Sequence, residues 1–425
     1  MSDLRQRLDL LMRQKGIMTG DQWVQRKAEI DARRAAGDFE IDRVLPGEVH
    51  GDGDFGFYLV RNVYPPEFQQ GAAPLGAALE CGGETIALSA CDDELVDFDA
   101  RRTLFVDTET IGLAGGTGTI AFLIGAGYFQ GDDFVVDQCF MRDYDDEEPM
   151  LGYLGERFRD HDCVVGYNSK SFDVPLMRTR FIQNRVPFAL DAVMHYDLVH
   201  AARRLWKARL RDCSLGNVER HILGFERTGD VPSHQIPQRY FDYLRSRDAR
   251  PLQPVFYHHR NDIVSLAALT GLIAARLARE DGGADNAHDR LSLVRLHTRQ
   301  KQWEKAADAA RRYLEAHDDA GALRRECLEL LANAYKRLDE WTPYEDTLTL
   351  LLRECPGNLH AALELAKHHE HRTRNLARAE AVCTTAREHL AREHHRHGLH
   401  AEELDALDKR LARIQTKRAK GGGLV

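Results

Sequence analysis

With 425 residues, 43% of them hydrophobic and 29% charged, the chain is too long for one ordinary core and too apolar to be disordered, so two or three globular domains are expected. Its formal net charge of -9 excludes a polycation, and any nucleic-acid-binding surface has to be local. Eight scattered cysteines without a Cys-x-x-Cys pair exclude a zinc ribbon and a disulfide scaffold. With no apolar run of about eighteen residues and no signal-peptide core, they point to the cytoplasm, away from membranes.

Leu4, Leu8, Leu11 and Met12 fall on one face of an amphipathic helix expected over residues 1–20. The stretch to residue 100 is less legible: GDGDFGFYLV, a turn at Pro65 and Pro66, and short apolar runs suit strands or a wrapping segment. From 101 the pattern becomes α/β. TLFVDTE, TIAFLIGAGYF and FVVDQCFMRD read as three strands, EEPMLGYLGERFRD as a helix, CVVGYN as a buried strand, and SFDVPLMRTRFIQNR as a helix ending before Pro187. That order predicts a mixed sheet with helices on its faces. DLVHAARRLWKARL, SLGNVERHILGF, QRYFDYLRSR and VFYHHRNDIVSLAALTGLIAARLARE follow as helices, and EDGGADNAHDR reads as a linker near 282. Beyond 286 the pattern is all-helical and repetitive. WEKAADAARRYLEAH at 303, WTPYEDTLTLLLREC at 341 and LARAEAVCTTAREHL at 376 align. Paired helices with a period of about 34, and a turn at Pro356 and Asn358, make a TPR-like pattern over 286–415. A basic flexible tail, 416–425, is expected to close the chain.

Three acidic motifs carry the chemistry. Asp107 and Glu109 end an apolar strand, and alternation puts them on one face. Asp173 lies five residues after Asn168, where a buried strand opens into a helix, and Asp262 sits within the long apolar helix. Paired carboxylates repel and resist burial, and hard divalent cations relieve both costs. Any one of these acids has an ordinary reading as a turn acid, a helix-start acid or a wet-face acid. All three motifs together, in order and on suitable elements, favour a metal-dependent nuclease. The glycine-rich IGLAGGTGT after Glu109 would let a phosphate or another backbone approach closely.

Together these motifs resemble the DEDD exonuclease superfamily, which has an RNase H-like (DnaQ-like) fold. Residues 101–280 resemble its YprB-type members through LFVDTETIGLAGGTGTIAFLIG, VVGYNSKSFDVPLM, HYDLVHAARRLWKARLRDCSLGNVE and IPQRYFDYL. The resemblance implies an exonuclease domain over 101–282 and leaves 1–100 without an assigned role. It implies two divalent ions, Mg²⁺ or Mn²⁺. Asp107, Glu109 and Asp262 would hold one, and Asp107 would bridge to a second held by Asp173. It also implies 3′–5′ hydrolysis of DNA, in repair. Superfamily members place a Tyr four residues before the last Asp, or a His five before it; here His258 stands at minus four and Tyr257 at minus five. On a helix, minus four shares the face of Asp262, so His258 is expected to orient or deprotonate the attacking water.

Arg203, Arg204 and Lys207, around Trp206, are candidates for tracking a nucleic-acid backbone, as is Asn168; a solvated helix face is the plainer reading of that basic stretch. His195 and Asp197 read as supporting residues, and the histidines at 368–371 and 393–397 as helix-face residues. The repeats are expected to dock a protein partner such as a helicase or another repair protein. An RNA exonuclease, or a scaffold with a silent nuclease domain, are the rival readings.

Overall fold

The computed structural model describes residues 24–25, 28–29, 39–52, 55–112, 118–190, 193–279, 286–317, 321–397 and 401–421. The expected helix over 1–20, most of the glycine-rich loop, the linker near 282 and the last four residues lie outside them. The chain divides into two units. One comprises residues 1–90, 94–200 and 214–274, and the other residues 91–93, 201–213 and 275–425.

The first unit is built on a mixed sheet of seven strands. In chain order its strands are β1 (Glu48–Asp52) and β2 (Phe55–Tyr64), then, after a two-residue hairpin of β3 (Gln69–Gln70) and β4 (Ala73–Pro74), β5 (Thr103–Ile111), β6 (Ile120–Gln130), β7 (Asp133–Phe140), β8 (Cys163–Gly166) and β9 (Met194–Asp197). The spatial order is β1-β2-β7-β6-β5-β8-β9, antiparallel through β5 and parallel from β5 to β8 and β9. The three strands read after 101, the buried strand at 163 and the helices that follow are all present. Two expectations need correction. The sheet starts at 48 rather than 101, because β2 pairs along β7 and completes the antiparallel half. Asp197, read as the first residue of a helix, is the last residue of β9, since its backbone extends the parallel half beside β8.

Helices of eight residues or more in this part of the chain are α1 (Gly83–Ala90), α2 (Glu147–Arg159), α3 (Asp173–Gln183), α4 (Leu198–Leu210), α5 (Ile236–Ser246) and α6 (Gln253–Ala278). Alternation on β2 shows how the two faces are covered. Phe57 and Leu59 join Leu104, Val106, Met150, Phe158 and Phe181 in a core under α2 and α3. Tyr58 and Val60 join Phe122, Phe140, Tyr240, Tyr243 and Phe256 under α5 and α6. Helix α6 is the one described helix apolar and long enough to cross a membrane, but most of its apolar window is buried inside the protein. Its close approach to the sheet depends on glycine: a Cβ on Gly125 would lie 2.0 Å from Ile263 Cδ1, and one on Gly127 would lie 2.6 Å from Ile263 Cγ2. The segment after β2 wraps the same helix, with buried Gln70 donating to Ser265 Oγ at 2.9 Å.

In the second unit the helices are α7 (Ala287–Arg299), α8 (Trp303–Ala316), α9 (Ala322–Arg337), α10 (Trp341–Glu354), α11 (Leu359–His371), α12 (Leu376–His397) and α13 (Ala401–Gly421). The aligned sequence starts at 303, 341 and 376 coincide with the starts of α8, α10 and α12. Two residues before each, Lys301, Asp339 and Arg374 take the same left-handed backbone (φ 56°, 58° and 54°). Buried alanines such as Ala306, Ala310, Ala332, Ala361 and Ala366 let neighbouring helices approach closely. Asn358 caps α11 by accepting from Ala361 N–H. Residues 416–421, expected in a loose tail, continue α13, where Lys417 and Arg418 pair with Glu370 and Glu380.

Candidate active site

Asp107 and Glu109 leave β5 on the face that α6 covers, since Leu104 and Val106 point into the opposite core. Asp107 pairs with Gly125 across β6, and a β-bulge follows Glu109. From α6, His258 and Asp262 come to the same place, one turn apart: His258 Nε2 lies 3.4 Å from Asp262 Oδ2 and 3.8 Å from Glu109 Oε1. One donor atom each from Glu109, His258 and Asp262 lies within 4.8 Å of the others. Asp173 opens α3 and is buried, its Oδ1 accepting from the Thr108 hydroxyl at 2.5 Å. Thr108 lies between the two β5 acids and faces the other way, so one strand end grips acids from both sides of the sheet.

The neighbouring His259 is a strut between α6 and β5. Its Nδ1 accepts from Gln138 at 3.0 Å, which leaves Nε2–H to donate to the Asp107 carbonyl at 3.1 Å. Burial lowers its pKa to about 4, so the ring stays neutral. Beneath Asp173, Asp197 accepts from the backbone N–H of Asn168 (2.7 Å) and Lys170 (3.0 Å), while Ser169 Oγ meets His195 Nε2 at 2.8 Å. His195 and Asp197 thus shape the loop that leads into Asp173. Asn168 itself takes a left-handed backbone (φ 62°) and does not cap α3, whose N-cap position is Phe172.

Charge in this site is unbalanced. Burial, then the charges of Asp262 and Asp173, push the carboxyls of Asp107 and Glu109 well above the usual range, with Arg227 pulling the other way. Burial raises Asp173 to about 6, against the Thr108 hydrogen bonds that favour its ionised form. A cluster of oxygen donors whose own repulsion opposes ionisation fits a divalent cation.

Three residues that sequence reasoning missed complete the site. Arg227 is half-buried and donates to Asp262 Oδ1 at 2.5 Å and, bidentate, to Glu219 at 2.6 and 2.8 Å. Glu219 in turn accepts from Ser265 Oγ at 2.5 Å. Asp230 holds the other edge of the His258 ring, with Oδ1 at 2.8 Å and Oδ2 at 3.0 Å from Nδ1. Glu219 lies in SLGNVERHILGF, read as a helix, and Arg227 and Asp230 lie in the turn that follows, where the only signal was an Arg–Asp pair flanking a glycine. Ser214, Leu215, Gly216, Arg220, Phe225 and Tyr167 join Asp107, His258 and Asp262 around a cleft of about 560 Å³. Tyr257 does not line it.

The residues proposed to track a nucleic-acid backbone fare differently. Arg203 and Lys207 are exposed on α4 and Arg204 is half-buried, but Trp206 is only 2% exposed and packs under Arg276. This stretch belongs to the second unit, where Arg209 pairs with Asp289 at 3.0 Å.

A sequence model described as the RNase_H superfamily matches residues 104–274, the span that carries every acid of the site. Uncharacterized protein YprB of Bacillus subtilis (strain 168) is 30% identical over 325 residues, covering 75% of this chain and 76% of its own length. The chain is a YprB-type member of the RNase H superfamily. The fold is that of an RNase H-like nuclease.

Proposed function

We propose that this protein is a metal-dependent 3′–5′ exonuclease acting on DNA, in the cytoplasm and in DNA repair. The observation that carries the reading is the meeting of Glu109, His258 and Asp262, with Asp107, His258 and Asp262 lining a cleft and Asp173 near enough for its charge to act on Asp107. Asp107, Glu109 and Asp262 would hold one Mg²⁺ or Mn²⁺, and Asp173 with Asp107 a second. Such cations supply Lewis-acid stabilisation of charge developing on the phosphate oxygens. His258 Nε2 is the group that orients the attacking water and takes its proton. The helical unit, TPR-like in its paired helices and repeated turns, would dock a protein partner such as a helicase or another repair protein.

The test is degradation of end-labelled single-stranded, double-stranded and nicked DNA beside matched RNA, with Mn²⁺ or with EDTA. The reading expects stepwise shortening of 5′-labelled DNA from its 3′ end that EDTA stops. Preferential shortening of RNA would reassign the substrate. No cleavage of any substrate with Mn²⁺ would leave the silent scaffold.

A further inference from the structure

We infer that Asp230 positions His258, fixing the Nδ1 edge of the ring so that the Nε2 edge faces Glu109 and Asp262. This rests on the nuclease reading of the site, but the contacts that motivate it are independent of any activity.

The carboxylate of Asp230 accepts hydrogen bonds and donates none, so at 2.8 Å the proton between the two groups belongs to Nδ1. In the neutral ring the remaining lone pair is then on Nε2, 3.4 Å from Asp262 Oδ2 and 3.8 Å from Glu109 Oε1. Arg227 Nη1 also lies 3.2 Å from Nδ1, but a protonated nitrogen cannot accept from it; Arg227 donates instead to the His258 carbonyl at 3.3 Å. Asp230 is itself held. Its Oδ1 accepts from Val231 N–H at 2.8 Å, and Arg227 lies 3.5 Å from Oδ2. Gly229, in the left-handed region at φ 72°, turns the chain just before it. The arrangement is a carboxylate behind an imidazole whose free nitrogen faces the chemistry. Partners of this kind set ring orientation and tautomer.

The test uses the full-length, metal-free protein labelled with ¹⁵N-histidine. Its 20 histidines are resolved in a two-bond ¹⁵N–¹H correlation, with His258 assigned by its loss in His258→Gln. The expected pattern for His258 is the Nδ1–H tautomer, lost or averaged in Asp230→Ala. With Mn²⁺ bound, Asp230→Ala should lower kcat by roughly 10–100-fold. KM and oligonucleotide affinity in Ca²⁺ should stay near wild type, and Asp230→Glu should recover part of the loss. If Asp230→Ala does not fold, the near-isosteric Asp230→Asn is read in the same two ways. A wild-type His258 in the Nε2–H form overturns the inference, as does a variant with unchanged tautomer and unchanged kcat. If the wild type cleaves no substrate, the nuclease reading falls, and the metal-free spectrum still decides whether Asp230 sets the ring.

Discussion

Glu364 in the helical unit and Asp107 in the sheet unit are both largely buried carboxylates, and they are shifted in opposite directions. Burial works against ionisation of Glu364, but hydrogen bonds from Lys336 and Lys367 outweigh it and hold its pKa at about 2. Glu370 has the same kind of company in Lys417 and Arg410, and Glu326 in Arg295. Asp107, Glu109 and Asp173 instead meet burial and one another, with Arg227 pulling the other way on the first two. An acid matched by its own cations is a strut between helices. A cluster of acids with too few cations is a place that asks for one from outside. Charge balance thus distinguishes these two kinds of acid without reference to fold.

The largest effect that tests this contrast is on activity. Asp107→Ala should abolish Mn²⁺-dependent cleavage, measured on a labelled oligonucleotide, while the protein stays folded. Because Asp107 contributes repulsion, Asp107→Asn should hold or raise the melting temperature of the metal-free protein. Asp262→Ala should abolish activity too, but its metal-free stability should fall, since within this acid cluster Asp262 is paired directly with a cation, Arg227, at 2.5 Å. Substantial residual cleavage by either alanine variant removes the acids from the chemistry.

The next effect is on stability. Arg227 and Glu219 have side chains 9% and 1% exposed, so Arg227→Met strands two buried carboxylates and should cost about 3–5 kcal/mol in urea unfolding. The equally bidentate Arg295–Glu326 pair of the helical unit is 36% and 39% exposed, and Arg295→Met should cost only about 0–1 kcal/mol. Similar costs for the two would mean that Arg227 is not a buried keystone.

How much of this was readable beforehand follows from what each residue signals locally. Strand β5 was legible because an apolar run with period-two acids has few other readings, and His258 because minus four on a helix has one geometry. The repeats were legible as well: their turns recur at the spacing of their sequences. Arg227, Glu219 and Asp230 were not, because their partners lie 8 to 46 residues away and no periodicity connects them. The boundary at 101 failed for a related reason: β2 earns its place by pairing with β7, 76 residues on at Arg61 and Asp137, and a long-range ladder leaves no mark on either strand alone. A cut near 282 also fails to separate the units cleanly, since 201–213 groups with the later helices.

A smaller effect joins pH to metal. Asp173 is raised from 3.8 to about 6, so its share of metal-free stability is complete below about pH 4 and is lost as pH rises through about 6. Asp107 and Glu109, also raised, act in the same direction. The metal-free protein should therefore melt lower at pH 7.5 than at pH 5 as far as this cluster is concerned, and Asp107→Asn should flatten that difference. Mg²⁺ or Mn²⁺ should raise the melting temperature more at pH 7.5, where fewer protons need displacing than at pH 5; a ligand at about 100 times its Kd adds about 2.7 kcal/mol. A metal-induced gain that is larger at pH 5 would contradict the repulsion account.

The smallest expected effect concerns whether the helical unit contributes to nucleic-acid binding. Helix α4 groups with it and exposes Arg203 and Lys207, while buried Trp206 anchors the helix and leaves no ring free for base stacking. That arrangement fits backbone contact alone, which acts through released counterions and carries no sequence preference. Arg203→Gln together with Lys207→Gln should then weaken binding of single-stranded DNA in Ca²⁺ modestly and equally for every sequence tested. The slope of log K against log salt should shrink by roughly one unit for each phosphate that is no longer neutralised. Folding is not at stake, because neither side chain is buried. An unchanged slope would assign α4 to a solvated face and leave the helical unit to protein partners; a loss confined to particular sequences would instead require base recognition that a buried tryptophan cannot supply.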